Sequence, residues 1–185
     1  DAMKYIHWKA SAKEQKLRTR KLVGERKQEI LMVYDTKRYN KQEKVYIPLE
    51  NQILETILAL GYHFAEKNIN YSILWEQAGL QKYEINGISQ IDHWYQETAR
   101  VVFEEDQDIN VLMQRIIQER LHLNAQTIIL VAHEVKESLM NLLQQLSLEG
   151  HTVVLYLITN KDVEEYIRRS NSRLKVVVLP IEGDL

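Results

Sequence analysis

The chain has 185 residues, 45% of them apolar and 27% charged, which is the size and balance of one globular domain with a sizeable core. It has no cysteine, which excludes disulfides, thiolate catalysis and cysteine-ligated zinc. The net charge is only −2, no run approaches the roughly 20 apolar residues of a membrane span, and no secretory leader is visible.

The small net charge hides an asymmetry. Residues 1–27 carry nine Lys/Arg against three Asp/Glu, a net +6; residues 28–185 carry fifteen against twenty-three, a net −8. A basic arm on an acidic domain suits nucleic acid, anionic lipid or an acidic surface of its own protein, and the last two are favoured here. Trp8 stands among Lys4, Lys9, Lys13 and Lys16. That combination serves base stacking beside phosphates, but also an indole packed on the domain under lysine stems. Thr19, Lys21 and Val23 alternate with Arg18, Arg20 and Leu22, as in a short strand. The arm therefore reads as the remnant of an upstream β region, and 28–185 as the domain proper.

Glu29–Tyr34 is a short apolar run, expected as a buried central strand. Pro48 suits the first turn of a helix, and Leu49, Ile53, Ile57, Leu60 and Phe64 behind it predict an amphipathic helix over 48–67. Tyr71–Trp75 is a second strand, and a turn at 77–80 leads into Gln81–Ile85 as its hairpin partner. Ile91, Trp94, Tyr95, Thr98 and Val102 predict a helix within 89–103. Asp108 is placed to cap the next helix, with Val111, Leu112, Ile116 and Leu121 as its buried stripe. Thr127–Ala132 is the most apolar strand, Glu134–Leu148 a helix ended by Gly150, and Thr152–Ile158 the next strand. A short helix over Asp162–Arg169 and a last strand over Leu174–Leu179, stopped by Pro180, complete the chain.

This alternation predicts an α/β fold: an open, mostly parallel, Rossmann-like sheet with helices on both faces. The single hairpin adds one antiparallel edge strand. No GxGxxG and no GxxxxGK[ST] is present, which argues against dinucleotide and P-loop nucleotide binding. No Gly-x-Ser-x-Gly is present, and Ser138 falls within an expected helix, so no hydrolase constellation emerges. His93 and Glu97 share a helix face but lack a third ligand, and read as a surface pair. In open α/β sheets ligands bind at the carboxyl ends of the strands. The first such end is Asp35, followed by Thr36, Lys37, Arg38 and Lys41, and His133-Glu134 follow a later strand.

The segment Ile6-His7-Trp8-Lys9-Ala10-Ser11-Ala12, preceded by Asp1 and followed by Lys13, Leu17 and Arg20, resembles the signature of the bacterial domain-of-unknown-function family 58. The resemblance implies a von Willebrand A-like domain, transmembrane helices upstream, and a partnership with MoxR-type AAA+ ATPases. The chain is then expected to be the soluble C-terminal part of a protein tethered on the cytoplasmic side of the bacterial membrane. Its expected role is non-enzymatic protein interaction, with no cofactor and no specific nucleic acid.

The resemblance also implies a metal-ion-dependent adhesion site at Asp35, where metal-binding von Willebrand A domains carry Asp-x-Ser-x-Ser plus a Thr and an Asp from later loops. Here Lys37 and Tyr39 replace both serines, and His133-Glu134 stand where the later Asp is expected. A lysine offers a cation no lone pair, so the site is expected to be degenerate, with no metal and no catalytic residue. The rim of Asp35, Thr36, Lys37, Arg38, Lys41, His133 and Glu134 is then expected to bind a partner. Rival readings are a metal-dependent enzyme or nuclease using Asp35, Glu134 and His133, and a nucleic-acid binder using the basic arm.

Overall fold

The computed structural model describes residues 30–182. The basic arm, with Ile6–Ala12 and Arg20, lies outside the described residues. Strand β1 (Ile30–Tyr34) is buried at every position. Helix α1 (Glu43–Glu66) follows, then β2 (Tyr71–Glu76) and β3 (Leu80–Ile85). Next come α2 (Ile91–Thr98), α3 (Ile109–Gln118), β4 (Thr127–Ala132) and α4 (Glu137–Leu148). The chain ends in β5 (Thr152–Ile158), α5 (Glu164–Arg168) and β6 (Leu174–Leu179).

The six strands run in the order β3-β2-β1-β4-β5-β6. All neighbours are parallel except β2 and β3, whose antiparallel pairing makes β3 the edge. Because β1 and β4 are covered on both sides, their residues alternate between two cores. Leu31, Val33, Ile128, Leu130 and Ala132 meet α3, α4 and α5. Met32, Tyr34, Ile129 and Val131 meet α1 and α2. The expected sheet, its edge strand and its two helical layers are all present.

Several boundaries differ from expectation, each for a local reason. α1 begins at Glu43, so Pro48 lies inside it. Pro48 has no N–H for the Lys44 carbonyl, but Lys44 lies in the exposed first turn, where an unpaired acceptor costs little. Asn40 Oδ1 accepts from Gln42 N–H at 2.8 Å and organises the entry to this early turn. α2 stops at Thr98, whose hydroxyl donates to the Tyr95 carbonyl at 2.6 Å. The chain then runs non-helically to Phe103, 4% exposed, leaving Val102 on the surface. In α3 the buried stripe is Ile109, Leu112, Met113 and Ile116; Val111, expected inside, is 61% exposed. α4 begins at Glu137 because Val135 leaves the helical path to enter the core. Asp108 caps α3 as expected, accepting from Asn110 N–H at 2.9 Å. Gly150 ends α4 with φ +105°, where a side chain is strained.

Candidate functional site: the carboxyl-end rim

Parallel strands place the ends of β1, β4 and β5 on one rim. Asp35 N–H donates to the Val131 carbonyl at 2.9 Å, which holds the first residue after β1 against β4. The Thr36 hydroxyl donates to the Glu76 carbonyl at 2.7 Å, and Glu104 N–H to the Thr36 carbonyl at 3.0 Å. Arg38 N–H donates to the Glu104 carbonyl at 2.9 Å. The loop after α2 is thus tied to the loop after β1.

Asp35 is 1% exposed. Its Oδ1 accepts from Lys37 N–H at 3.0 Å and its Oδ2 from the Tyr39 hydroxyl at 2.5 Å. Burial pushes its carboxyl up to about 6, because these two donors recover only part of the lost hydration. Burial and the neighbouring Asp35 charge push the Tyr39 phenol far above its ordinary range, so it remains a donor. The Tyr39 ring meets the His133 ring edge-on at 5.0 Å, and the Lys37 ammonium lies 5.4 Å from the Tyr39 ring centre.

Asp108 completes the group. Burial opposes its charge, but a 2.6 Å contact with the Lys136 ammonium and the Asn110 N–H outweigh that and hold its carboxyl below the usual range. Lys136 is itself held in the charged state by Asp108, with smaller contributions from Glu134 and Asp35. The exposed Lys136 ammonium thus pairs with Asp108 at this rim.

The other expected rim residues are present but differently engaged. Arg38 donates to both oxygens of Glu50, at 2.7 and 3.0 Å, and lies 4.0 Å from the Tyr46 ring centre, so it pins α1. Lys41 makes only a loose contact with Glu105 at 3.6 Å. His133 Nδ1 meets the Ile158 carbonyl at 2.7 Å, and Glu134 pairs with Lys161 at 3.0 Å. Asp35, Glu134 and His133 share one rim, but each faces a different partner. Glu134 precedes α4 and is not an acid of its first turn. His93 lies against the Tyr83 ring, and Glu97 pairs with Arg100 at 3.0 Å.

These residues do not fit a divalent cation. Mg²⁺ and Ca²⁺ require several converging oxygens. At Asp35 one oxygen takes a hydroxyl donor, the other takes an amide, and the nearby Asp108 takes an ammonium. Mg²⁺ at millimolar concentration is expected to leave the melting temperature unchanged, since only binding to the folded state would raise it. A saturable rise that disappears in Asp35→Ala would overturn this. Replacing Lys37 and Tyr39 by Ser and Lys136 by Ala is expected to create a response.

Lys136 falls in the 132–136 loop that the topology places on this rim, but Asp108 was not legible as a site residue: it carries the signal of a helix cap, and its contact with Lys136 spans 28 positions without a shared motif.

Neither a protein-family model nor a curated protein matches the chain. Among solved structures the chain is similar to the SpRpn10 VWA domain, with a TM-score of 0.55 and 10% identity over 85% of this chain and 90% of that one. It is similar to the manganese-loaded TRAP protein of Plasmodium vivax, with a TM-score of 0.51 and 12% identity over 82% and 69%. It is also similar to proximal thread matrix protein 1 from the mussel byssus with a zinc-occupied MIDAS motif, with a TM-score of 0.52 and 12% identity over 83% and 44%. At these identities the likeness shows the fold alone: the chain has a von Willebrand A-like α/β fold.

Proposed function

We propose that this protein is a non-enzymatic interaction module that docks another protein on its carboxyl-end rim. The carrying observation is that Asp35 and Asp108 are satisfied from within, by Tyr39, the Lys37 amide and Lys136. A rim closed in this way presents a preformed polar surface and asks no metal to complete it. The base candidates of the rival enzymatic reading, His133 and Glu134, are engaged by the Ile158 carbonyl and Lys161.

Beside this centre lies a groove of about 590 Å³ lined by Lys37, Asn40, Lys41, Gln42, Glu105 and Glu134. Lys41 in its lining is exposed, as is Lys44 three residues further on in the first turn of α1. The partner this suits is an acidic protein surface. With the resemblance of Ile6–Ala12 and Arg20 to family 58, the partner is a MoxR-type AAA+ ATPase. On this reading residues 1–27 belong to an upstream β region, 28–185 form the interaction domain, and upstream segments tether the whole to the cytoplasmic side of a bacterial membrane. Among the described residues no helix is long and apolar enough to cross a membrane.

The test is binding of that ATPase to Lys41→Glu/Lys44→Glu. Both lysines are exposed, so the melting temperature is expected to hold. Affinity is expected to fall roughly tenfold or more, chiefly through slower association, with a steep salt dependence in the parent protein. Arg38 is left intact because its loss would unpin α1. Unchanged affinity in the folded variant would remove the rim from the interface.

A further inference from the structure

The opposite rim carries a cluster that takes no part in the site above. His122 lies in the loop between α3 and β4, and Glu149 and His151 lie in the connection between α4 and β5. Both loops precede parallel strands, so they sit at the end of the sheet away from Asp35. One ligand atom from each of the three side chains lies within 4.8 Å of the others.

The two imidazoles are prepared in complementary ways. His151 Nδ1 meets the Ala125 carbonyl at 2.8 Å. A carbonyl only accepts, so Nδ1 carries the proton and the neutral ring keeps its lone pair on Nε2. His122 is 4% exposed, and its Nδ1 is buried with no hydrogen-bond partner. A buried ring nitrogen without a partner is costly unless something takes its lone pair. The rings stand 5.5 Å apart at 60°. Ala125 N–H donates to the His122 carbonyl at 3.0 Å, so one tight turn positions His122 and also supplies the carbonyl that orients His151. An imidazole fixed through its second nitrogen by a backbone carbonyl is the usual support of a metal-ligating histidine.

We propose that His122, Glu149 and His151 form a zinc site that clasps the two loops together. Two imidazole nitrogens and one carboxylate oxygen suit Zn²⁺ and disfavour the hard, all-oxygen preferences of Mg²⁺ and Ca²⁺. Zinc bonds of roughly 2.0–2.2 Å place tetrahedral ligand atoms about 3.3–3.6 Å apart. The cluster must contract modestly; Glu149 is exposed, and its Oε1 accepts from Gln145 Nε2 at 2.8 Å, a surface bond that zinc binding would exchange for the metal or leave to the second oxygen. Three protein ligands leave the fourth position to water or to a donor from outside.

The full chain, stripped of metal with a chelator, should be titrated with zinc chloride by calorimetry and by thermal unfolding. One zinc per chain at this site and a saturable rise in melting temperature are expected, with no displacement by excess Mg²⁺. Losing a supporting group around a metal typically lowers affinity about 10–100-fold, and loss of a ligand in Glu149→Ala or His151→Ala should cost at least that. Glu149→Ala is the clean variant because its side chain is exposed, whereas a change at the buried His122 risks the fold. Asp35→Asn should bind zinc as the parent does, which separates this site from the carboxyl-end rim. Zinc held equally well by Glu149→Ala/His151→Ala, or no zinc taken up by the parent chain, overturns the proposal.

Discussion

Asp35→Asn is expected to stabilise the protein at pH 7.5 and to flatten its stability profile between about pH 4 and pH 6. The Asp35 carboxyl titrates near 3.8 when unfolded and is pushed up to about 6 by burial in the folded chain. Below both values the two states hold the proton equally. Between them the unfolded chain has released its proton and the folded chain has not, so stability falls as pH rises. Above about 6 both are ionised and the loss is complete. At about 1.4 kcal/mol per unit, the gap between 3.8 and about 6 comes to roughly 3 kcal/mol. Asparagine keeps the shape, with its carbonyl oxygen accepting from Lys37 N–H and its amide N–H donating to the Tyr39 hydroxyl oxygen, and removes the buried charge. The measurement is urea unfolding of both proteins from pH 3.5 to 8. Parallel profiles, with no gain for the variant above pH 6, would show that Asp35 is hydrated well enough to ionise normally.

That result bears on function because most natural carboxylates work in the other direction, with folded values held down by partners. A buried carboxylate that opposes folding at neutral pH needs a reason other than packing. Here the Asp35 carboxylate holds the Tyr39 hydroxyl and the Lys37 amide, and the neighbouring Asp108 holds Lys136. If the rim is the docking surface, Asp35→Asn should show the familiar trade: a more stable protein whose partner affinity is reduced.

The fold was legible because its strongest signals are of the kind sequence carries well. β1 and β4 are apolar at nearly every position, as strands covered on both faces must be, and 77–80 marks the only reversal into an antiparallel strand among the described residues. Helix boundaries were less legible. Val102 continues the helical period of Ile91, Trp94 and Thr98, but Phe103 is drawn into the core and ends the helix earlier. Pro48 looks like a first-turn residue, yet sits inside α1, where the exposed first turn tolerates it. At the rim Asp35 was legible as a strand-end acid, and the loss of both serines was legible as a change in its surroundings. The substitution at position 39 was not legible as a gain. A tyrosine reads as an absent ligand, whereas its hydroxyl caps the carboxylate directly. His122 and His151 meet only because β4 and β5 are neighbours, and nothing in their separation along the chain announces it.

Tyr39→Phe should test that cap, and its effect should depend on the charge of Asp35. The ring stays, with its edge contact to His133, and only the hydroxyl that donates to Asp35 Oδ2 is lost. Hydrogen bonds to charged groups contribute about 1.5–3 kcal/mol, so a loss of that size is expected at pH 7.5. The lost donor favours the protonated acid, which moves the Asp35 carboxyl above its present value and extends the falling part of the stability profile beyond pH 6. Well below 3.8 Asp35 is protonated in both states, and the variant should lie closer to the parent as pH falls toward that range. On the Asp35→Asn background the same hydroxyl meets a neutral amide, where a hydrogen bond is worth about 0.5–1.5 kcal/mol. The two changes should therefore be non-additive by about 1 kcal/mol or more at pH 7.5. Equal losses on both backgrounds and at both ends of the pH range would mean that the Tyr39 hydroxyl does not act on the carboxylate, and that the rim is held by packing alone.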